Sequence, residues 1–153
     1  MKMKIIGGIV VLFLLLVNAS FAAYTDNGDG TITDITNKRV WQKCSAGQNA
    51  LDCSGTASTY TWATAVTYCT GLPLAGGGWR LSNVKELESI VDETKTTSPV
   101  INTMVFSATV GNWYWSSTTN ANVNTGAWGV NFGSGYHVGW YIKTSTYYVR
   151  CVR

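Results

Sequence analysis

Four cysteines, Cys44, Cys53, Cys69 and Cys151, and a single histidine, His137, are the side chains of this chain with the widest chemical repertoire. Metal binding, thiol catalysis and disulfide formation are the chemistries open to them. A zinc site wants ligand pairs at short spacing, but no C-x-x-C pair occurs and His137 is far from the cysteines in sequence. A catalytic dyad would need a cysteine or an acid near His137, and the sequence places neither there. An even number of cysteines behind an export signal reads instead as two disulfides, for which the residues alone leave three pairings open. The acids Asp26, Asp29 and Asp34 are the one candidate cation cluster. They do not fit the calcium loop D-x-[DN]-x-[DN]-G, and turn chemistry accounts for them. Gly76-Gly77-Gly78 is not a phosphate loop, because no Gly-Lys-Ser/Thr follows it. No metal and no cofactor are therefore expected.

What remains is binding. Residues 113–153 contain ten aromatic residues and thirteen Ser, Thr or Asn but not one Asp or Glu. Tyr and Trp supply rigid contact area while Ser, Gly and Asn supply adaptable hydrogen bonds, the mixture that paratopes use. The candidate ligand-binding residues are Tyr136, His137, Tyr141 and Tyr147, with Asn120, Asn122, Asn124, Asn131 and Ser134 around them, because they fall in turns or on the polar phase of strands. Trp41, Trp62, Trp79, Trp115 and Trp128 are assigned to packing.

The elements that must position these groups follow from periodicity. Tyr24 to Gln42 predicts short strands separated by turns at Asn27–Gly30 and Thr36–Lys38. Thr61 caps a helix in which Trp62, Ala65, Val66 and Cys69 share a face. Asn83 with Glu86 opens a second helix with the stripe Val84, Leu87, Ile90 and Val91. Past Ser98-Pro99 the pattern turns to strands: Trp128, Val130 and Phe132 alternate with Ala127, Gly129 and Asn131, and Val138, Trp140 and Ile142 alternate with His137, Gly139 and Tyr141. The second alternation places Tyr141 on the face opposite Trp140 and Ile142, open to solvent. Two helices followed by a late antiparallel sheet make an α+β domain.

Residues 1–22 read as a secretory signal peptide: a basic start, an apolar run from Ile5 to Val17, and small residues at Ser20 and Ala22. The run of thirteen residues is short against the ~20 of a membrane span. An uncleaved anchor is the competing reading. Residues 23–153 then form one exported domain, without stable membrane insertion and placed in the periplasm, at the cell surface or outside the cell. Cleavage leaves nine Lys or Arg against eight Asp or Glu, with no basic run beyond Lys38-Arg39. That balance argues against nucleic acid as a partner. All eight acids lie between Asp26 and Glu93, so the final sixty residues carry four basic groups and no acid, a mild bias toward anionic ligands.

Five motifs in order carry a resemblance: Asp26-Asn27-Gly28-Asp29-Gly30-Thr31-Ile32-Thr33-Asp34; Trp41-Gln42; Gly78-Trp79-Arg80-Leu81-Ser82-Asn83-Val84-Lys85-Glu86-Leu87; Tyr114-Trp115-Ser116-Ser117-Thr118; and Tyr148-Val149-Arg150-Cys151-Val152-Arg153. Together they resemble the C-terminal domain of the Legionella collagen-like protein, over essentially the whole mature chain. The resemblance implies a C-type-lectin-like fold, shared with formylglycine-generating enzymes and with the variable proteins of diversity-generating retroelements. It also implies surface adhesion, since the family's namesake attaches to sulfated glycans. The expected pairing is Cys44 with Cys53, closing a local loop, and Cys69 with Cys151, a staple from first helix to last strand that the resemblance also implies. A calcium-bridged sugar site does not fit, because Ca²⁺ takes six to eight oxygen ligands and the last sixty residues hold no carboxylate. The expected function is a metal-free, non-enzymatic binding module, of adhesin or receptor type, for a glycan or protein. A self-assembling envelope or extracellular protein is the alternative. An oxidative enzyme of the formylglycine-generating type is remote, resting on analogy of fold alone.

Overall fold

The structure is a computed structural model that describes residues 23–134 and 139–153. The signal-peptide expectation, and Tyr136 and His137 among the candidate ligand-binding residues, lie outside the described residues. No helix among the described residues is long and apolar enough to cross a membrane. The domain is mixed α/β, with two short helices and two antiparallel sheets.

The opening strands β1 (Tyr24–Asp26), β2 (Thr31–Asp34) and β3 (Arg39–Gln42) form the expected meander. Turn chemistry fixes it. Asp26 Oδ1 accepts from Gly28 N at 2.9 Å, Asp29 Oδ1 from Thr31 N and Oγ1 at 3.1 and 2.6 Å, and Asp34 from Asn37 N and Nδ2 at 2.9 and 2.8 Å. These short side chains satisfy backbone donors two or three residues on. Asp26 also pairs with Lys43 at 2.7 Å.

The meander is not a separate unit. The last strand, β8 (Cys151–Val152), inserts between β3 and the two-residue β4 (Arg80–Leu81), giving the order β1-β2-β3-β8-β4. The second sheet joins β5 (Trp113–Thr119), β6 (Gly126–Asn131) and β7 (Gly139–Ile142) in that order. A late sheet thus exists as expected, but chain start and chain end meet in another one.

Both helices begin where their capping residues predict. Helix α1 (Trp62–Thr70) has Thr61 as N-cap, and Ala65 and Cys69 from its predicted face are buried. Helix α2 (Val84–Glu88) starts with a complete capping box: Asn83 Oδ1 accepts from Glu86 N at 2.9 Å and Glu86 Oε2 from Asn83 N at 2.8 Å. It is shorter than the apolar stripe suggests. Ile90 is buried just beyond its end and Val91 bridges to Ile101.

Glu86 does more than cap. Its carboxylate takes both Arg80 guanidinium nitrogens at 2.7 and 2.6 Å and lies 3.3 Å from Arg39, tying β3, β4 and α2 together. Burial pushes its acidity the other way, yet the Arg80 hydrogen bonds, the Asn83 backbone and the charges of Arg80 and Arg39 hold its pKa below the ordinary value. A depressed folded pKa contributes stability that is complete above the unfolded value, ~4.3, and is lost as pH falls through the folded one. Glu86→Gln should therefore be less stable than wild type at neutral pH, with the gap closing in acid. Chemical denaturation from neutral pH down through the carboxylate range checks this, and a gap independent of pH would sink it.

Two buried clusters fill the domain. One holds Ile32, Trp41, Leu87, Ile90, Tyr114, Val130, Phe132 and Val152, with other residues from the loop after α2. The other holds Ala65, Cys69, Trp79, Leu81, Trp115, Ala127, Val149 and Cys151. The cysteines pair as expected: Cys44–Cys53, with Cα atoms 5.0 Å apart, and Cys69–Cys151, at 5.5 Å.

Candidate functional site

The second sheet carries the aromatic residues singled out above, and its two faces receive them differently. Register pairs Trp113 with Asn131, Trp115 with Gly129, Ala127 with Tyr141 and Gly129 with Gly139. Trp115, Ala127 and Tyr141 all pack into the second buried cluster or against it. Along this face runs a file of rings: Trp113 to Tyr141 at 4.8 Å, Tyr141 to Tyr147 at 4.9 Å and Tyr147 to Trp115 at 4.9 Å between centroids. Trp113 reaches Tyr141 across Gly139, where a Cβ would stand 2.7 Å from its indole Cη2. The file is pinned from behind. Trp115 Nε1 donates to Tyr60 O at 2.8 Å, Tyr60 and Tyr147 exchange backbone hydrogen bonds, and Trp62 Nε1 donates to Ser116 O at 2.9 Å.

The opposite phase is the surprise. Trp140 and Ile142, on the face opposite Tyr141, are 43% and 56% exposed, whereas Tyr141, expected to face solvent, is half-buried in the aromatic file. The reason is where the two clusters sit. Val130 and Phe132 share the phase of Trp128 and are covered by the first cluster, but that cover ends before the paired residues Trp128 and Trp140. Tyr141→Ala, expected from the sequence to spare folding, removes a ring held between two others. It should lower stability by about 2 kcal/mol, a part of the ~3–5 kcal/mol of a fully buried aromatic truncation. Thermal or urea unfolding of the variant measures this, and an unchanged midpoint would show that the ring packs loosely.

The polar candidates also divide. Asn120 is buried and builds a turn, its Oδ1 accepting from Asn122 N at 2.9 Å. Asn131 does the same for Gly133 N at 2.7 Å. Asn122 and Asn124 are exposed on the loop between β5 and β6, beside Val123, which is 37% exposed. Ser134 and Asn131 are half-buried. The loop returns to β6 through Gly126 N donating to Val123 O at 2.8 Å. There the Trp140 ring packs against Gly126, where a Cβ would lie 2.7 Å from Cε3 and 3.1 Å from Cζ3. Trp140, Ile142 and Val123 thus meet solvent beside the Asn122 and Asn124 loop. The composition of the region signalled this surface; alternation along β7 assigned it the wrong aromatic.

The four cations of the last sixty residues are already engaged by neutral groups. Lys95 Nζ donates to Ile101 O at 2.9 Å, Lys143 Nζ to Thr119 Oγ1 at 2.9 Å and Asn124 O at 3.0 Å, and Arg153 Nη1 to Ala75 O at 2.8 Å and Gly77 O at 2.9 Å. Lys143 also stands 4.2 Å over the Trp62 ring and Arg153 4.7 Å over Trp79. Arg150 is completely buried, with its contacts to Gln42 O, Lys43 O, Ser45 Oγ and Thr109 Oγ1. These contacts fix where the four side chains sit.

Among the described residues, no three His, Cys, Asp or Glu side chains converge to hold a metal ion. An open pocket of different character lies between β1 and the segment after α2, lined by Tyr24, Ile90, Val91, Asp92, Glu93, Thr94 and Asn102. Burial, and then the charges of Asp34 and Asp92, push the pKa of the Tyr24 phenol up to about 12.

Residues 30–153 match the family described as the Lcl C-terminal domain. Among curated proteins none matches the chain.

Proposed function

The chain belongs to the Lcl C-terminal domain family, and from that membership we propose that it is an exported binding module, of adhesin or receptor type, which recognises a glycan or a protein without a metal ion. The observation that carries this reading is the surface of β6 and β7. Large apolar side chains and exposed amides lie together there, on a stretch of chain without a carboxylate. Aromatic contact area beside short polar side chains is how adaptable recognition surfaces are composed. We read the two sheets and two helices more finely as a C-type-lectin-like domain. The insertion of the closing strand β8 beside β3, and its staple to α1 through Cys69–Cys151, support that reading. A binding role fits the thiol chemistry better than catalysis does. All four cysteines are paired, leaving no free thiol for an oxidative enzyme of the formylglycine-generating kind.

Screening the purified protein on a glycan array and on immobilised extracellular proteins, with and without EDTA, tests the proposal. At least one specific ligand should be retained, and chelation should leave its affinity unchanged. Loss of every signal in EDTA would replace this reading with a metal-dependent one. A second reading, self-assembly, is favoured by one observation: β7 is the outer strand of its sheet and carries Trp140 and Ile142 exposed, the kind of edge that pairs with another chain. Sedimentation that depends on concentration, together with absent ligand binding, would favour it.

A further inference from the structure

We propose that Trp113, Tyr141 and Tyr147 form a one-electron relay, in which an oxidising equivalent taken up at the Trp113 indole passes inward and comes to rest on the tyrosine pair. The relay is independent of the binding role proposed above. Ring spacing carries it. Centroids stand 4.8 Å apart from Trp113 to Tyr141 and 4.9 Å from Tyr141 to Tyr147. Rings this close touch, so an electron crosses each step with neither water nor saturated chain between donor and acceptor. The bare Cα of Gly139 keeps the first step short, since a Cβ there would stand 2.7 Å from the indole and displace it.

Where the equivalent stops depends on where a proton can leave. Trp115 continues the file beyond Tyr147 at 4.9 Å, but it is completely buried and donates its N–H to Tyr60 O. An indole cation sealed there keeps its charge, and a buried charge without a partner is costly. Trp113, by contrast, is half-buried. Tyr147 is also half-buried, and its hydroxyl hydrogen-bonds Ser145. Burial raises the pKa of that phenol, so it is neutral at physiological pH and sheds its proton only together with an electron. A phenoxyl radical that has lost its proton lies below an indolyl radical near neutral pH, which makes the tyrosine pair the low point of the file. A radical one-electron oxidant takes an electron from Trp113 and is itself reduced, and the indole cation releases its proton to water. The tyrosine pair then returns one electron to the indolyl radical and releases a phenolic proton, while the indole regains a proton from water. The product is intact Trp113 and one neutral tyrosyl radical.

Pulse radiolysis of the full protein with the azide radical, which oxidises indoles ahead of phenols near neutral pH and becomes azide, tests the relay. Part of the indolyl absorption should decay in a first-order phase whose rate is independent of protein concentration, with phenoxyl absorption growing in step. Tyr141→Phe and Tyr147→Phe, which keep a ring in each place, should together lose that phase, and so should Trp113→Phe. Tyr148→Phe removes a phenol that packs on Tyr114 outside the file, and should retain it. An unchanged phase in the double variant, or its loss in Tyr148→Phe, would overturn the proposal. So would a rate that scales with protein concentration, or no phenoxyl growth in wild type. If the double variant fails to fold, Trp113→Phe decides alone, and an unchanged phase there has the same meaning.

Discussion

Replacing Cys69 and Cys151 together by alanine is expected to cost about 4.5 kcal/mol of stability, against about 2.7 kcal/mol for the Cys44 and Cys53 pair. The difference comes from the unfolded chain. The first bridge closes a separation of 82 residues and the second one of 9, and loop-closure entropy grows with the logarithm of that length. Position reinforces length. Cys69 and Cys151 are both fully buried within the second cluster, so their loss also leaves unfilled space between α1 and β8. The Cys44–Cys53 bridge is buried too, but it secures a loop after β3 whose backbone is held by other means, among them Ser58 N to Ala46 O at 2.8 Å and Ala46 N to Val149 O at 3.0 Å. Urea unfolding of the two double variants, each at matched redox state, measures the contrast. Equal losses would mean that the unfolded chain is already compact enough to bring β8 near α1.

Much of this architecture is written locally. The Asn83 to Glu86 capping box, the Thr61 cap and the aspartate turns at Asp26, Asp29 and Asp34 each depend on residues within four positions, and each forms as its spacing predicts. What resists reading is nonlocal. Strands β4 and β8 have two residues each, too few to show a period, and they matter only because Leu81 and Cys151 pair across the chain. The pairing of the cysteines was legible through the family resemblance; spacing alone left it open.

The candidate site divides along the same line. Composition locates the surface, because a stretch with ten aromatic residues and no acid is unusual anywhere in a chain with eight acids. Periodicity then misassigns its faces. Alternation assumes one buried side and one wet side, but β6 lies between two clusters: Val130 joins one and Ala127 the other. On the edge strand β7 both covers thin out. Tyr141 keeps its neighbours Trp113 and Tyr147, while Trp140 and Ile142 outrun theirs. Which side loses cover first depends on where α2 and the loop after it end, and no pattern within β7 encodes that. Asn120 and Asn131, expected among the ligand-binding residues, serve the turns of this sheet instead.

Arg150 is the residue whose role the sequence hid most completely, since a charged side chain in a closing Arg-Cys-Val-Arg reads as surface. It is fully buried and makes no ion pair among the described residues. Burial pulls its pKa down, and the neighbouring Tyr114 works against that pull. The guanidinium is held by neutral acceptors: Gln42 O at 3.3 Å, Lys43 O, Ser45 Oγ at 3.4 Å and Thr109 Oγ1 at 2.8 Å. Phe106 lies 4.8 Å and Tyr114 6.0 Å away by ring centroid, adding cation–π attraction in a buried site. Ser45 is held in turn by the Tyr114 hydroxyl at 2.6 Å, which also accepts from Val110 N at 3.1 Å. Arginine suits this because its fixed fork of donors stays protonated. Arg150→Ala should cost about 3–5 kcal/mol, the sum of a cavity and of acceptors left without donors. Arg150→Lys separates charge from geometry. A buried lysine without an acid partner titrates below its ordinary ~10.4, so its charged form destabilises the fold. With the folded pKa depressed, its stability is greatest above the unfolded value and falls as pH drops toward neutral. Wild type and Arg150→Lys should therefore converge between about pH 7 and pH 10, with the variant gaining as its ammonium loses its proton. Urea unfolding at both ends of that range reads the slope directly. A gap that stays constant would mean the lysine remains charged inside, solvated by water that has entered the site.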